Sequence, residues 1–491
     1  MADDGRRFSL RLKSRASIGP LIEQLPKKPR LSSQNKANLD VRSQPVSPDK
    51  NDSQPNEEVL PQLSDACLLK VFEHLDLKTL CSMADMSKHF RELSAEVFAD
   101  NFDELYFLTL DRWLFRRVMR KFGQYVSSIS FTQTTLGPGD ISIFKYCTKL
   151  ERLSLTAMQI DSNEFEPVFA RLKYLCLDSC DFNGDPTQLF AACTELEQFV
   201  VNAKNFYDIP KCLFPELNSL RFECESEWKW NHLWQLLRLN PQIKRLYIVA
   251  LPDDKVIAKV VQNAPQLEVL FIEPGLLSKC PREQSCNGLL QLAELTSLKQ
   301  LSLHTGDGNY NRYAGLLAKT LSTKEIKLEF LCFESFAIDR QDFCHILKLN
   351  TLEKLVLISI GELNNFDLIA IGNKLPLLEQ LRIDIDFSDQ IFIDIIGLMI
   401  LIETAENLTY LGLNGIRNMN INQNTFEDLV ALTKKRSDVP LKIAIIGCNT
   451  TTEFNVPQDI QLKHRSVLQI DYQSDEDGEC SCEHCTELML F

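Results

Sequence analysis

Leu150-Glu151-Arg152-Leu153-Ser154-Leu155, Leu267-Glu268-Val269-Leu270-Phe271-Ile272 and Leu352-Glu353-Lys354-Leu355-Val356-Leu357 are copies of one six-residue template. With Ile, Val or Phe allowed at the apolar positions, the template starts at Leu150, Leu172, Leu196, Leu217, Ile243, Leu267, Leu298, Leu328, Leu352, Leu378 and Leu408. One copy means nothing, but eleven in register at a mean period of about 26 residues describe a repeat architecture. The last two apolar positions alternate, which predicts a short strand with those side chains on one face. The intervening segments return the chain, and 253–263 and 341–348 read as amphipathic helices. No single copy can bury its own apolar face, so the copies must stack and share a core.

Working outward, weaker copies precede the series at Leu105-Tyr106-Phe107-Leu108-Thr109-Leu110 and Val126-Ser127-Ser128-Ile129-Ser130-Phe131. Leu441-Lys442-Ile443-Ala444-Ile445 reads as a closing strand, giving about 13 parallel strands in a curved leucine-rich-repeat solenoid. Longer intervals around Leu298 put loop tips at 280–287 and 306–311. Residues 1–58 are polar, Pro- and Ser-rich and without apolar period, the composition of a chain that cannot offset its ordering entropy. The organisation expected is a basic tail over 1–58, a small helical unit over 59–100, about 12–13 repeats over 101–450, and an acidic cysteine-containing tail over 451–491.

The helical unit carries Leu63, Leu68, Leu69, Val71, Phe72 and Leu75 at three- and four-residue spacings, with Ser64 or Asp65 placed as a cap. Asp76 and Ser87 can cap two further short helices, carrying Leu80 and Met83, then Phe90, Leu93 and Val97. This stretch resembles an F-box, whose pattern runs Leu-Pro-x-Glu-x-Leu-x-x-Ile-Phe-x-x-Leu, then Asp-Leu and Val-Cys-Lys-x-Trp. Here Ser64 stands at the family's proline, and Met86-Ser87-Lys88-His89-Phe90 puts phenylalanine in place of tryptophan. The resemblance implies an α/β chain: a three-helix F-box, then a solenoid with a parallel concave sheet. It also implies a Skp-family adaptor bound through Leu63, Leu68, Leu69, Val71, Phe72, Leu75, Leu80, Met86 and Phe90, and through it a cullin ubiquitin ligase. The repeats would hold a protein substrate; no cofactor, metal or catalytic residue is implied. A non-degradative leucine-rich-repeat scaffold or adaptor, in the nucleus or elsewhere, is the alternative.

Composition narrows the field. Of 491 residues, 44% are hydrophobic and 24% charged, the profile of a folded soluble chain. The longest apolar run, Ile391–Ile402, is interrupted by Asp394 and is too short to span a bilayer. No secretory signal opens the sequence, so the 16 cysteines are expected as reduced, largely buried thiols. A net charge of −14 repels polyphosphate, and neither nucleic acid nor membrane is an expected partner. Lys27, Lys28 and Arg30 form a basic cluster of the nuclear-import type, placing the chain in nucleus, cytoplasm or both. Cys480, Cys482, His484 and Cys485 could ligate zinc but crowd one short segment rather than two spaced pairs. No nucleotide loop, zinc helix or nucleophile elbow occurs.

For the repeats, the outward strand positions are the candidate substrate surface. Tyr247 and Phe271 form its apolar centre, Arg221 and Arg245 flank it, and Asp178, Glu223, Glu273, Glu334 and Asp384 line one edge. Aromatic and arginine side chains at the middle of a concavity have hot-spot composition.

Overall fold

The computed structural model describes residues 63–474, apart from the short stretches 109–110, 203–211, 224–229, 250–253, 274–286, 305–313, 337, 339, 361–362, 386–392, 417–418, 437–439 and 448–452. The import cluster, the tail cysteines and both expected loop tips, save for Asn287, lie outside the described residues.

The repeats form one parallel sheet of 15 strands among the described residues, arranged in strict chain order. Leu153 meets Leu175 and Leu155 meets Leu177, as Leu331 meets Leu355 and Leu381 meets Leu411. These leucines are fully buried. Their strand neighbours Ser154 and Cys176, like Arg221 between the buried Leu220 and Phe222, point to the opposite face and are partly exposed. The two-residue side-chain period of a strand accounts for that division. Truncating any of the inner leucines to Ala costs about 2–5 kcal/mol.

At several strand ends a non-glycine residue takes a left-handed backbone: Gln133, Ala157, Ser179 and Ser335, at φ of 51°, 52°, 54° and 61°. The N–H groups of Gln133, Ala157 and Ser335 then donate to the next strand, to Thr156, Asp178 and Ile358 carbonyls at 2.8–2.9 Å. The turn thus prolongs the ladder beyond the strand. The return helices follow the predicted pattern: Asp254–Asn263 and Arg340–Ile346 are helical. Starting within the expected apolar run, Ile395–Thr404 is helical, and Asp394 is its cap, accepting from the N–H groups of Ile396 and Gly397. No described helix is long and apolar enough to cross a membrane.

Two repeat assignments change. In the first copy, the strand is Glu104–Phe107, and Leu105 and Phe107 pair with Ile129 and Phe131. The unit is therefore Leu105-Tyr106-Phe107, three residues earlier than the template suggested, and Leu108 is exposed. The cause is aromatic: the Phe107 ring stacks on Phe131 at 5.2 Å and meets Phe115 edge-on. At the other end, Leu441–Gly447 does not close the sheet. Leu468–Ser474 adds a further parallel strand, preceded by the helix Gln458–His464, so the repeats run past the boundary expected at 450.

Ahead of the sheet come three helices, α1 (Asp65–Phe72), α2 (Leu77–Met86) and α3 (Lys88–Asn101). Asp76 caps α2 through Thr79 N–H at 2.7 Å, and Ser87 caps α3 through Phe90 N–H at 3.0 Å. Ser64 occupies the cap position of α1 without a side-chain bond. A fourth helix, α4 (Arg112–Phe122), follows the first strand and packs against α2 and α3. There Phe98 stacks on Phe122 at 4.6 Å, while Arg117 and Lys121 both grip the Asp85 carboxylate. The helices and the sheet thus share one core.

Candidate adaptor and substrate surfaces

The three helices divide their apolar side chains into two sets. Phe72 and Leu80 are fully buried; Phe72 meets the Phe90 ring edge-on at 5.5 Å. Leu68, Leu69, Leu75 and Phe90 are half-buried against the core. Leu63, Val71 and Met86 are 59%, 50% and 68% exposed. Phe72 and Leu80 therefore hold the unit together and cannot also face a partner. Helical spacing alone does not say which side of a short helix finds the core, because a unit this small is apolar on more than one side. Of the nine expected contact residues, Leu63, Val71 and Met86 are the ones exposed enough to meet a partner directly.

On the sheet, adjacent strands set Arg221 beside Tyr247 and Tyr247 beside Phe271. The Tyr247 ring stands edge-on to Phe271 at 5.0 Å and is largely buried, while Phe271 is half-buried. Arg221 reaches across to Glu273 at 3.5 Å, whereas Arg245 is exposed. The apolar centre extends further than the sequence indicated. Phe271 continues to Phe330 at 5.7 Å, and Lys354 lies over the Phe330 ring at 5.3 Å. Phe330 stands one position before the alternating pair, a column of mostly polar residues in which Val269, Tyr174 and Tyr410 are also apolar or aromatic.

The acidic edge is not a row of free carboxylates. Asp178 accepts from Asn202 and Ser179, Arg382 donates to Asp384 through Nε and Nη2, and His304 contacts Glu334 at 3.2 Å. Glu223 is also engaged, as Glu273 is by Arg221. Burial pushes the Glu334 carboxyl up to about 7, with Asp384 and Glu273 adding repulsion and Arg382 opposing it. Burial likewise pulls His304 down to about 4, favouring the neutral imidazole. The pair is a titratable point in the middle of the face. Elsewhere burial pushes the Cys147, Cys180, Cys193 and Cys332 thiols up to about 12, so they act as small apolar groups rather than nucleophiles. Among the described residues, no three His, Cys, Asp or Glu side chains gather as metal ligands would.

The family comparison decides the helical unit, because a model described as the F-box domain matches residues 60–97. The chain carries an F-box. Behind that F-box lies the leucine-rich-repeat sheet, so the expected order of parts stands. No curated protein matches the sequence. Among solved structures, an internalin from Listeria monocytogenes is 14% identical, with a TM-score of 0.34, covering 72% of this chain and 89% of its own. The TLR13–ssRNA13 complex is 16% identical, with a TM-score of 0.36, covering 76% of this chain and 53% of that chain.

Proposed function

We propose that this F-box protein is the substrate-recognition subunit of a Skp–cullin–F-box ubiquitin ligase. F-box domains as a class bind the Skp1 adaptor, and leucine-rich-repeat folds bind protein ligands. The observation that carries the reading is the exposure of Leu63, Val71 and Met86 on the F-box, large apolar groups that water does not favour. The sheet face, with Phe271 and Phe330 at its centre, holds the substrate. The chain performs no chemistry itself; it raises the local concentration of substrate lysines at a thioester carried by another subunit. Purification of the tagged full chain tests this: adaptor, cullin and ubiquitinated partners should come together. Adaptor without cullin would instead support the non-degradative scaffold.

The Glu334 carboxyl gives the substrate face a pH signature. As pH falls through about 7 it takes up a proton and ceases to attract a cation. A partner that sets a Lys or Arg against it binds roughly threefold to tenfold more tightly at pH 8 than at pH 6, and Glu334→Gln flattens that profile. A flat wild-type profile would remove Glu334 from the contact. Stability is a poorer readout, because two effects oppose. Glu334, raised from 4.5 to about 7, costs stability as pH rises through that window. His304, lowered from 6.5 to about 4, costs stability as pH falls through its own.

Location is part of the same proposal. The chain works in the nucleus as well as the cytoplasm, and Lys27, Lys28 and Arg30 carry it there. Replacing all three with Ala should shift a fluorescently tagged chain toward the cytoplasm. An unchanged distribution would reduce the cluster to an ordinary solvated charge run.

A further inference from the structure

Helix α4 buries Phe115, Val118, Met119 and Phe122 toward the core. Its other face repeats Trp113, Arg116, Arg117 and Arg120 at three- and four-residue steps, a single stripe along the helix. Trp113 is 58% exposed, an unusual position for the largest side chain, and Arg117 lies over its ring at 4.8 Å. Arg112 and Lys121 flank the stripe, and all six residues line one open cleft.

Carboxylates already occupy part of this cation group. Asp140, fully buried, receives Arg116 at 2.7 Å and Arg112 at 3.5 Å; Asp85 receives Arg117 and Lys121. Asp111 caps the helix through Leu114 N–H. Five cations still outnumber these three carboxylates, and Arg120 is exposed with no partner among the described residues. Arg112 and Arg116 remain 56% and 41% exposed while holding Asp140. In a chain of net charge −14, such a concentration of arginine around an exposed tryptophan runs against the general trend.

We infer that the exposed face of α4 docks a short acidic segment of a partner protein, with a large apolar side chain of that segment seated on Trp113. Guanidinium groups suit carboxylates, and Asp140 and Asp85, each held by single nitrogens of two different cations, show that this face already binds carboxylates. Tryptophan and arginine together have the composition of an interface anchor. A nucleic acid fits less well. The helix is about 16 Å long, under half a duplex turn, and the rest of the chain repels a polyanion. This face is separate from the substrate face of the sheet and does not depend on the ligase reading.

The test uses the full chain and a fluorescein-labelled twelve-residue peptide carrying glutamates around a central Leu-Phe pair. Controls are the same peptide with glutamine for glutamate, a twelve-nucleotide single-stranded DNA, and phosphatidylserine vesicles. The glutamate peptide should bind at least tenfold more tightly than the glutamine peptide, less so as salt rises. Trp113→Ala with Arg120→Ala should weaken it at least tenfold without moving the melting temperature or adaptor capture. Should the double variant misfold, Arg120→Glu alone breaks no ion pair among the described residues and should weaken binding by itself. Equal binding of both peptides, unchanged binding by a folded variant, or tighter binding of DNA or vesicles would each overturn the inference.

Discussion

Val71→Glu with Met86→Glu eliminates adaptor capture, by at least a hundredfold, while the chain stays folded. Both side chains are half or more exposed, so a carboxylate at either position remains solvated in the free protein. In a complex each would be buried against an apolar partner, at a cost of several kcal/mol per unpaired charge. Phe72→Ala should behave differently. It removes a fully buried ring that meets Phe90, at about 3–5 kcal/mol, and so loosens the F-box itself. Adaptor pull-down alongside far-UV circular dichroism separates the two outcomes. A folded Val71/Met86 double variant that still captures adaptor would remove the F-box face assigned here.

Phe271→Ala with Phe330→Ala should weaken substrate capture by about 2 kcal/mol or more, roughly thirtyfold, the usual consequence of losing a hot spot. These two rings are half-buried on the outward face, and so are both supported by the sheet and open to a partner. Tyr247 is a less clean target, because it is largely buried and its loss also undermines Phe271. The comparison to make is quantitative recovery of ubiquitinated partners by wild type and variant with adaptor levels equalised. Equal recovery would move the substrate site off the centre of the sheet.

The repeats were readable because one constraint acts at every copy: two apolar residues, one apart, must enter a shared core. That constraint is local and periodic, so Leu153, Leu270 and Leu355 announce themselves. It weakens at the ends, where neighbours differ. Leu105 and Phe107 took the inner positions in place of Leu108 because Phe131 and Phe115 offered aromatic contacts. Leu468–Ser474 extended the sheet beyond the strand that looked terminal. The candidate surfaces were legible only as composition. Periodicity could not tell that Phe72 faces inward and Val71 outward, nor that Arg221 is spent on Glu273. The charged face of α4 was hidden for a different reason. A helix alternating Phe, Val and Met with Arg reads as an ordinary amphipathic element until its tryptophan is found outside.

The grip of Arg117 and Lys121 on Asp85, with Phe98 stacked on Phe122, has a mechanical meaning for the receptor role proposed above. Two domains joined by a flexible tether let cargo sample a volume, and ubiquitin would then reach many lysines. Here the F-box is welded to the first repeat, so the solenoid acts as a ruler of fixed origin. Each strand along it displaces the bound cargo by about 4.8 Å. The strand at which a substrate docks would thus select which of its lysines comes within reach of the transferring enzyme.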